Sequence, residues 1–143
     1  MTLKNLVGIS LEKIEIDVDA IRRLIAAAER NIADAKITAM STENRFDVGY
    51  KAIMQIANAA LYANGYRALT SKPGHHQTMI QLLPKTLKVD KETTILLDIM
   101  RKQRNLADYS GDLVPVSAMI GCINQAEKLL KQFNDWLNVF PSP

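Results

Sequence analysis

The sequence predicts an all-α fold, an antiparallel up-and-down helical bundle of four long helices plus one short helix, with residues 1–143 forming one domain. Three observations predict it. Apolar residues recur at helical spacing through four long segments, no run alternates convincingly at period two, and cap or turn residues separate the segments at short intervals. A chain of 143 residues is long enough to bury a core without disulfide or metal staples, and 48% hydrophobic against 23% charged residues is the balance of a globular chain.

The first long helix is expected over residues 17–40, where Ile21, Leu24, Ile25, Ala28, Ile32 and Ala35 make one stripe and Asp17 or Asp19 caps the exposed N–H groups. The preceding SLEKIEI reads as a short helical or extended arm. Ser41, Thr42 and Asn44 punctuate the chain before a second helix striped by Phe46, Tyr50, Ile53, Met54, Ala57, Ala60 and Leu61, which Gly65 stops. Residues 67–74 carry a Pro-Gly turn signal and read as a surface loop. A short helix from about His75 to Leu83 is expected to end at Pro84, and Asp90 is placed to cap a fourth helix from Lys91 to the stop at Gly111. Pro115 opens the last helix, with Val116, Met119, Ile120, Ile123, Leu130, Phe133 and Leu137 apolar to near Phe140, before a frayed PSP tail.

Composition narrows the function classes. Cys122 is the single cysteine, so it forms no intramolecular disulfide and no cysteine-based zinc site, and it reads as a small reduced core side chain. The chain shows neither a secretory leader nor an apolar run near the roughly 20 residues a membrane span needs, so a cytoplasmic protein is expected, with no membrane partner. A net charge of +3 permits a phosphate-bearing partner without demanding one. Phosphate loops, dinucleotide fingerprints, nucleophile elbows and HExxH motifs are lacking.

The one concentrated chemical signature is Arg101-Lys102-Gln103-Arg104-Asn105-Leu106-Ala107-Asp108-Tyr109. At 100° per residue, Ile95, Leu96, Ile99, Met100 and Leu106 gather on one side as a dry face, while Arg101, Arg104, Asn105 and Asp108 gather on the other. Arg101 with Asn105, and Arg104 with Asp108, are i,i+4 neighbours that can orient one another and leave guanidinium donors for a phosphate. Tyr109 adds a stacking or hydrogen-bonding group. The plainer alternative is a solvated face.

His75 and His76 follow Pro73-Gly74 at a helix start, either as solvent contacts or as neutral bases whose pKa the helix terminus lowers. Side by side on a helix they point about 100° apart with no third ligand at fixed spacing, so neither a metal nor another cofactor is expected. The Tyr62–Arg67 segment offers a base-stacking patch or, alternatively, packing at the bundle end. Trp136 and Phe140 read as core or dimer packing.

The order ERNIADA, RFDVGYKAIMQIANAALYANGYR, KPGHH and RKQRNLADY resembles bacterial members of the HEPN superfamily, the higher eukaryote and prokaryote nucleotide-binding helical domains, over roughly Asp17 to Trp136. Its most specific parts are GYR…GHH and RxxRNxADY. The resemblance implies a helical bundle that homodimerises around a shared cleft. It also implies either an RNA- or nucleotide-binding protein, of which many are metal-independent endoribonucleases of toxin–antitoxin or defence type, or a non-catalytic partner of a nucleotidyltransferase. Arg104 and Asn105 match the arginine and polar residue of the family motif, and Tyr109 resembles a tyrosine near its end. Nuclease members place a histidine several residues after the arginine, whereas this chain has Ala107-Asp108-Tyr109-Ser110. On this reading Arg104, His75 and His76 are the candidate catalytic residues, and Arg101, Asn105, Asp108 and Tyr109 the phosphate- or nucleotide-binding ones.

Overall fold

The structure, a computed structural model, describes residues 2–71 and 73–139 and is mostly helical. After a short 3-10 helix (Leu3–Leu6) the elements run β1 (Leu11–Lys13), α1 (Val18–Ala35), α2 (Thr42–Ala63), β2 (Tyr66–Ala68), α3 (His75–Gln81), α4 (Leu83–Thr86), α5 (Lys91–Ser110) and α6 (Val116–Val139). The expected caps form. Asp17 accepts from Ala20 N, Ser41 from Asn44 N and Asp90 from Thr93 N, each satisfying a donor that the first turn of a helix leaves free. The Asp90 carboxyl, which also accepts the Thr93 hydroxyl at 2.6 Å, is held below the usual aspartate range by those bonds. Gly65 and Gly111 take the left-handed conformation just beyond α2 and α5. The Phe140 end of the last helix and the PSP tail lie outside the described residues.

The centre of the fold is α2, which touches each of the other five helices and packs most extensively on α1 and α6. Its expected stripe is buried, and so are Gly49, Ala52, Ile56 and Ala59, which fall outside that stripe. Small residues let neighbouring backbones approach closely. A Cβ placed on Gly49 would stand 3.3 Å from Cys122 Sγ on α6, so the glycine is what admits that contact. Burial pushes the Cys122 thiol up to about 12, leaving it a packed apolar group. Polar ties fix the outer helices: Arg45 Nε donates to Ala35 O at the end of α1 (2.8 Å), Lys36 pairs with Glu127 of α6 (3.0 Å), and Gln132 Nε2 donates to Leu87 O (3.0 Å).

Three expectations are corrected. The stretch expected as a loop from residue 67 begins as β2, antiparallel to β1 with Leu11 opposite Ala68 and Glu12 opposite Arg67. Three residues per strand are too few to show a period of two, and the ribbon is held by burying Leu11 and Ala68 and by the Glu12–Arg67 ion pair. Pro84 does not end the short helix. It sits in the first turn of α4, where a missing N–H costs nothing, while α3 has already stopped at Gln81.

The largest correction concerns α5. Ile95, Leu96, Ile99 and Leu106, expected on the dry inward side, are exposed, and only Met100 of that set is buried, beside Leu97. The line Leu97, Met100, Arg101, Arg104, Ala107 is the one turned to the domain, so the helix presents its arginines inward and much of its apolar surface outward. Among the described residues no helix is long and apolar enough to cross a membrane.

Two substitutions test this packing. Gly49→Leu is expected to lose about 1–3 kcal/mol in thermal or urea unfolding, because it overfills the α2–α6 contact. Thr86 is buried with its Oγ1 unpartnered among the described residues, so Thr86→Val should gain about 1 kcal/mol by removing an unsatisfied hydroxyl. An unchanged or lowered melting temperature for Thr86→Val would contradict that account.

Candidate functional site

The site begins with α2. Although most of its surface is buried, polar residues recur along it at Asp47, Lys51, Gln55, Asn58 and Tyr62, spacings of three and four that align them on one side. That line, with Tyr50 and Met54, forms a wall of a cleft of ≈ 490 Å³ closed by His75, His76 and Met79 of α3, Arg104 of α5, and Arg67 and Thr70 at the ribbon end. A smaller groove of ≈ 230 Å³ adjoins it, sharing His75, His76 and Arg104 and adding Arg101, Asn105 and Tyr109. The volume falls within the range of small-molecule sites, about 300–1,000 Å³.

The chain places His76 at this cleft because Gly74, with φ of +78°, turns the backbone into α3 through a conformation that L side chains rarely adopt. His76 Nδ1 lies 3.3 Å from the Tyr50 hydroxyl, with His75 stacked edge-on at 4.8 Å between ring centroids. Arg104 also meets Tyr50, its Cζ 5.7 Å from the ring centroid, a cation–π approach. Tyr50, His76 and Arg104, from α2, α3 and α5, thus form one connected unit.

Charge at the unit is shaped by burial. Tyr50 is only 2% exposed, and desolvation lifts its pKa to about 12 against the opposing pull of Arg104 and Arg101, so it stays a neutral phenol. His76 is held below the usual histidine value by burial first and then by His75, Arg104 and Arg101. The helix terminus invoked from the sequence is not the leading cause. The 3.3 Å contact serves either tautomer: phenol donating to Nδ1 leaves an Nε2–H donor, whereas Nδ1 donating to the phenol oxygen leaves a basic Nε2.

The arginines differ in their freedom. Arg101 donates from Nε to Asp98 Oδ1 at 2.8 Å, and that bond is the main reason the Asp98 carboxyl lies below its usual range. Asp98 also faces Lys102 Nζ at 3.4 Å, so it clamps two cations. The expected Arg101–Asn105 pairing gives way to this clamp. Arg104 Nε lies 2.9 Å from Asp108 and 3.6 Å from Asp47, yet neither carboxylate lies along the N–H direction, and Nε is buried without a hydrogen bond. The ion pairs orient Arg104, and among the described residues no hydrogen bond engages its terminal nitrogens.

Of the candidates named from sequence, Arg104, His75 and His76 are brought together in the main cleft, while Arg101, Asn105 and Tyr109 line only the adjoining groove, Tyr109 being 85% exposed. Asp108 lies in a third depression with Asp47 and Arg104. Sequence reasoning placed Tyr50 in the core alone and passed over Asp47, Lys51, Gln55, Asn58 and Asp98. The regular polar line on an otherwise apolar α2 was the available signal. Tyr62 and Arg67 line the cleft, Tyr62 and Tyr66 both pack partly against the core, and Trp136 packs on Phe133 at 6.0 Å between rings. No protein-family model matches the chain, and no curated protein matches it.

The sign of the His76 shift gives a pH prediction. Because the folded state disfavours the charged ring, the unfolded chain binds more protons between the folded pKa and 6.5, so stability falls as pH drops through that window. An NMR titration should place the His76 midpoint below 6.5. Arg104→Gln should move it upward without restoring it fully, since burial is the larger cause.

Proposed function

We propose that the chain is a HEPN-like RNA- or nucleotide-binding protein that takes phosphate at the cleft between α2, α3 and α5, with its four long helices arranged as an antiparallel bundle. The observation that carries the reading is the Tyr50–His76–Arg104 unit, three residues remote in sequence that meet where a cation, a neutral imidazole and a protonated phenol share one wall. Arg104, oriented by Asp47 and Asp108, supplies planar donors suited to phosphate oxygens. Lys51 and the clamped Arg101 add positive charge nearby.

The same unit supports metal-independent ribonuclease action. Cleavage of RNA needs a base for the 2′-OH, an acid for the leaving oxygen and cations for the phosphate. His76 with its proton on Nδ1 toward Tyr50 offers a basic Nε2, His75 is a second imidazole at the cleft, and Arg104 stabilises the charged phosphorane. His76 thereby stands in for the histidine that the 107–110 stretch lacks.

A protein-interaction role has its own observation. Ile95, Ile99, Lys102 and Leu106 form an outward strip on α5 in which the three apolar residues are each more than half exposed, and contiguous exposed apolar surface marks a contact face. A second copy of the chain is the occupant we favour, consistent with a homodimer; a nucleotidyltransferase is the alternative partner. A cytoplasmic location accompanies these proposals.

Three measurements decide among them. Single-stranded RNA should bind with an affinity that falls steeply with salt, and Arg104→Ala should weaken it about tenfold or more. Cleavage in the presence of a chelator, lost in His76→Ala and in Arg104→Ala, would establish the enzyme; intact RNA under all conditions would leave binding alone. Ile99→Glu with Leu106→Glu should convert a dimer to a monomer in light scattering, and an unchanged mass would remove α5 from the interface.

A further inference from the structure

We infer that the end of the cleft remote from Arg104, where Gln55, Asn58 and Tyr62 stand on successive turns of α2, is a nucleobase subsite, so that the cleft holds one nucleotide with its phosphate at Arg104 and its base on these residues. The inference rests on the phosphate-binding reading above and specifies what the rest of the cleft does.

A side-chain amide lining a cleft is either tied into the fold by hydrogen bonds or left with donors and acceptors that a ligand can meet. Asn64 shows the structural use of such a group: its Nδ2 donates to Ala60 O at 2.7 Å and to Thr86 O at 3.3 Å, tying the end of α2 to α4. Gln55 and Asn58 are used differently. Gln55 Oε1 accepts from Asn31 Nδ2 of α1 at 2.8 Å, which fixes the amide and leaves the Nε2 hydrogens uncommitted. Asn58 is half-buried and, among the described residues, its amide has no hydrogen-bond partner. The cleft therefore contains a pre-oriented donor and a free donor–acceptor pair one turn further on.

The surrounding surface matches a flat ring with a polar edge. Met54 and Met79 contribute soft apolar walls and Tyr62 an aromatic ring, suited to the faces of a heterocycle, while the two amides suit its edge. A second phosphate does not fit here as well, because the nearby cation, Arg67, is already paired with Glu12. Along the axis of α2, Tyr50 and Asn58 are separated by about 12 Å at 1.5 Å per residue, comparable to the span from a phosphate to the far edge of its own base.

The test is fluorescence anisotropy on the full chain with short labelled ribo-oligomers of A, C, G or U and an abasic oligomer of equal length. The unmodified protein should prefer at least one base-bearing oligomer over the abasic one by roughly 5- to 100-fold. Asn58→Leu and, independently, Gln55→Met should erase most of that preference while leaving abasic binding intact, whereas Arg104→Ala should weaken both oligomers together. Circular dichroism identifies any variant that fails to fold, and the other then carries the test. If the base preference is absent, or survives in both folded variants, the subsite is wrong while salt-sensitive abasic binding still upholds the phosphate site. If no oligomer binds at all, both readings fall.

Discussion

Helix α2 is buried on most of its circumference, and the remaining architecture is arranged around that demand. Alanines at positions 52, 57, 59 and 60, with Gly49 against Cys122, keep its surface low enough for α1 and α6 to approach closely. Phe46, Ile53, Ile56 and Leu61 supply the bulk of the apolar area. A helix enclosed this way has one side on which polar groups are tolerable, and the line from Asp47 to Tyr62 occupies it. The cleft is thus a consequence of packing: α3 and α5 approach α2 along the side that cannot be sealed with apolar side chains.

Placing arginines on the inward side of α5 requires compensation, and the structure provides it locally. Asp98 holds Arg101 and Lys102, while Asp47 and Asp108 flank Arg104, so positive charge is positioned without isolated buried cations. Tyr50 contributes in a different way, joining the apolar core through its ring and the polar cleft through its hydroxyl. The cost of the arrangement appears on the opposite side of α5, where Ile95, Ile99 and Leu106 meet solvent in the single chain. The same helix orientation that supports the proposed phosphate site also creates the proposed docking strip.

Much of the fold was legible in the sequence because helices are specified locally. Asp17, Ser41 and Asp90 mark starts, Gly65 and Gly111 mark stops, and the α1 stripe of Ile21, Ala28, Ile32 and Ala35 is buried as its spacing implies. The β1–β2 ribbon was not legible, since its register depends on pairing across more than fifty intervening residues rather than on any pattern within three. Pro84 was misleading for a related reason: proline stops a helix or starts one, and only the chain's path distinguishes the two.

For the candidate site, the sequence by itself determined the inventory: a cationic run ending in Arg104-Asn105, a single pair of histidines after a Pro-Gly turn, and a helix able to present them. It also determined that α5 has two unlike faces. Which face turns inward was decided only by tertiary packing, because periodicity defines an apolar side without saying whether this domain or a partner covers it. The meeting of Tyr50, His76 and Arg104 was likewise a tertiary result, since distances across α2, α3 and α5 depend on how those helices pack and leave no trace in local spacing.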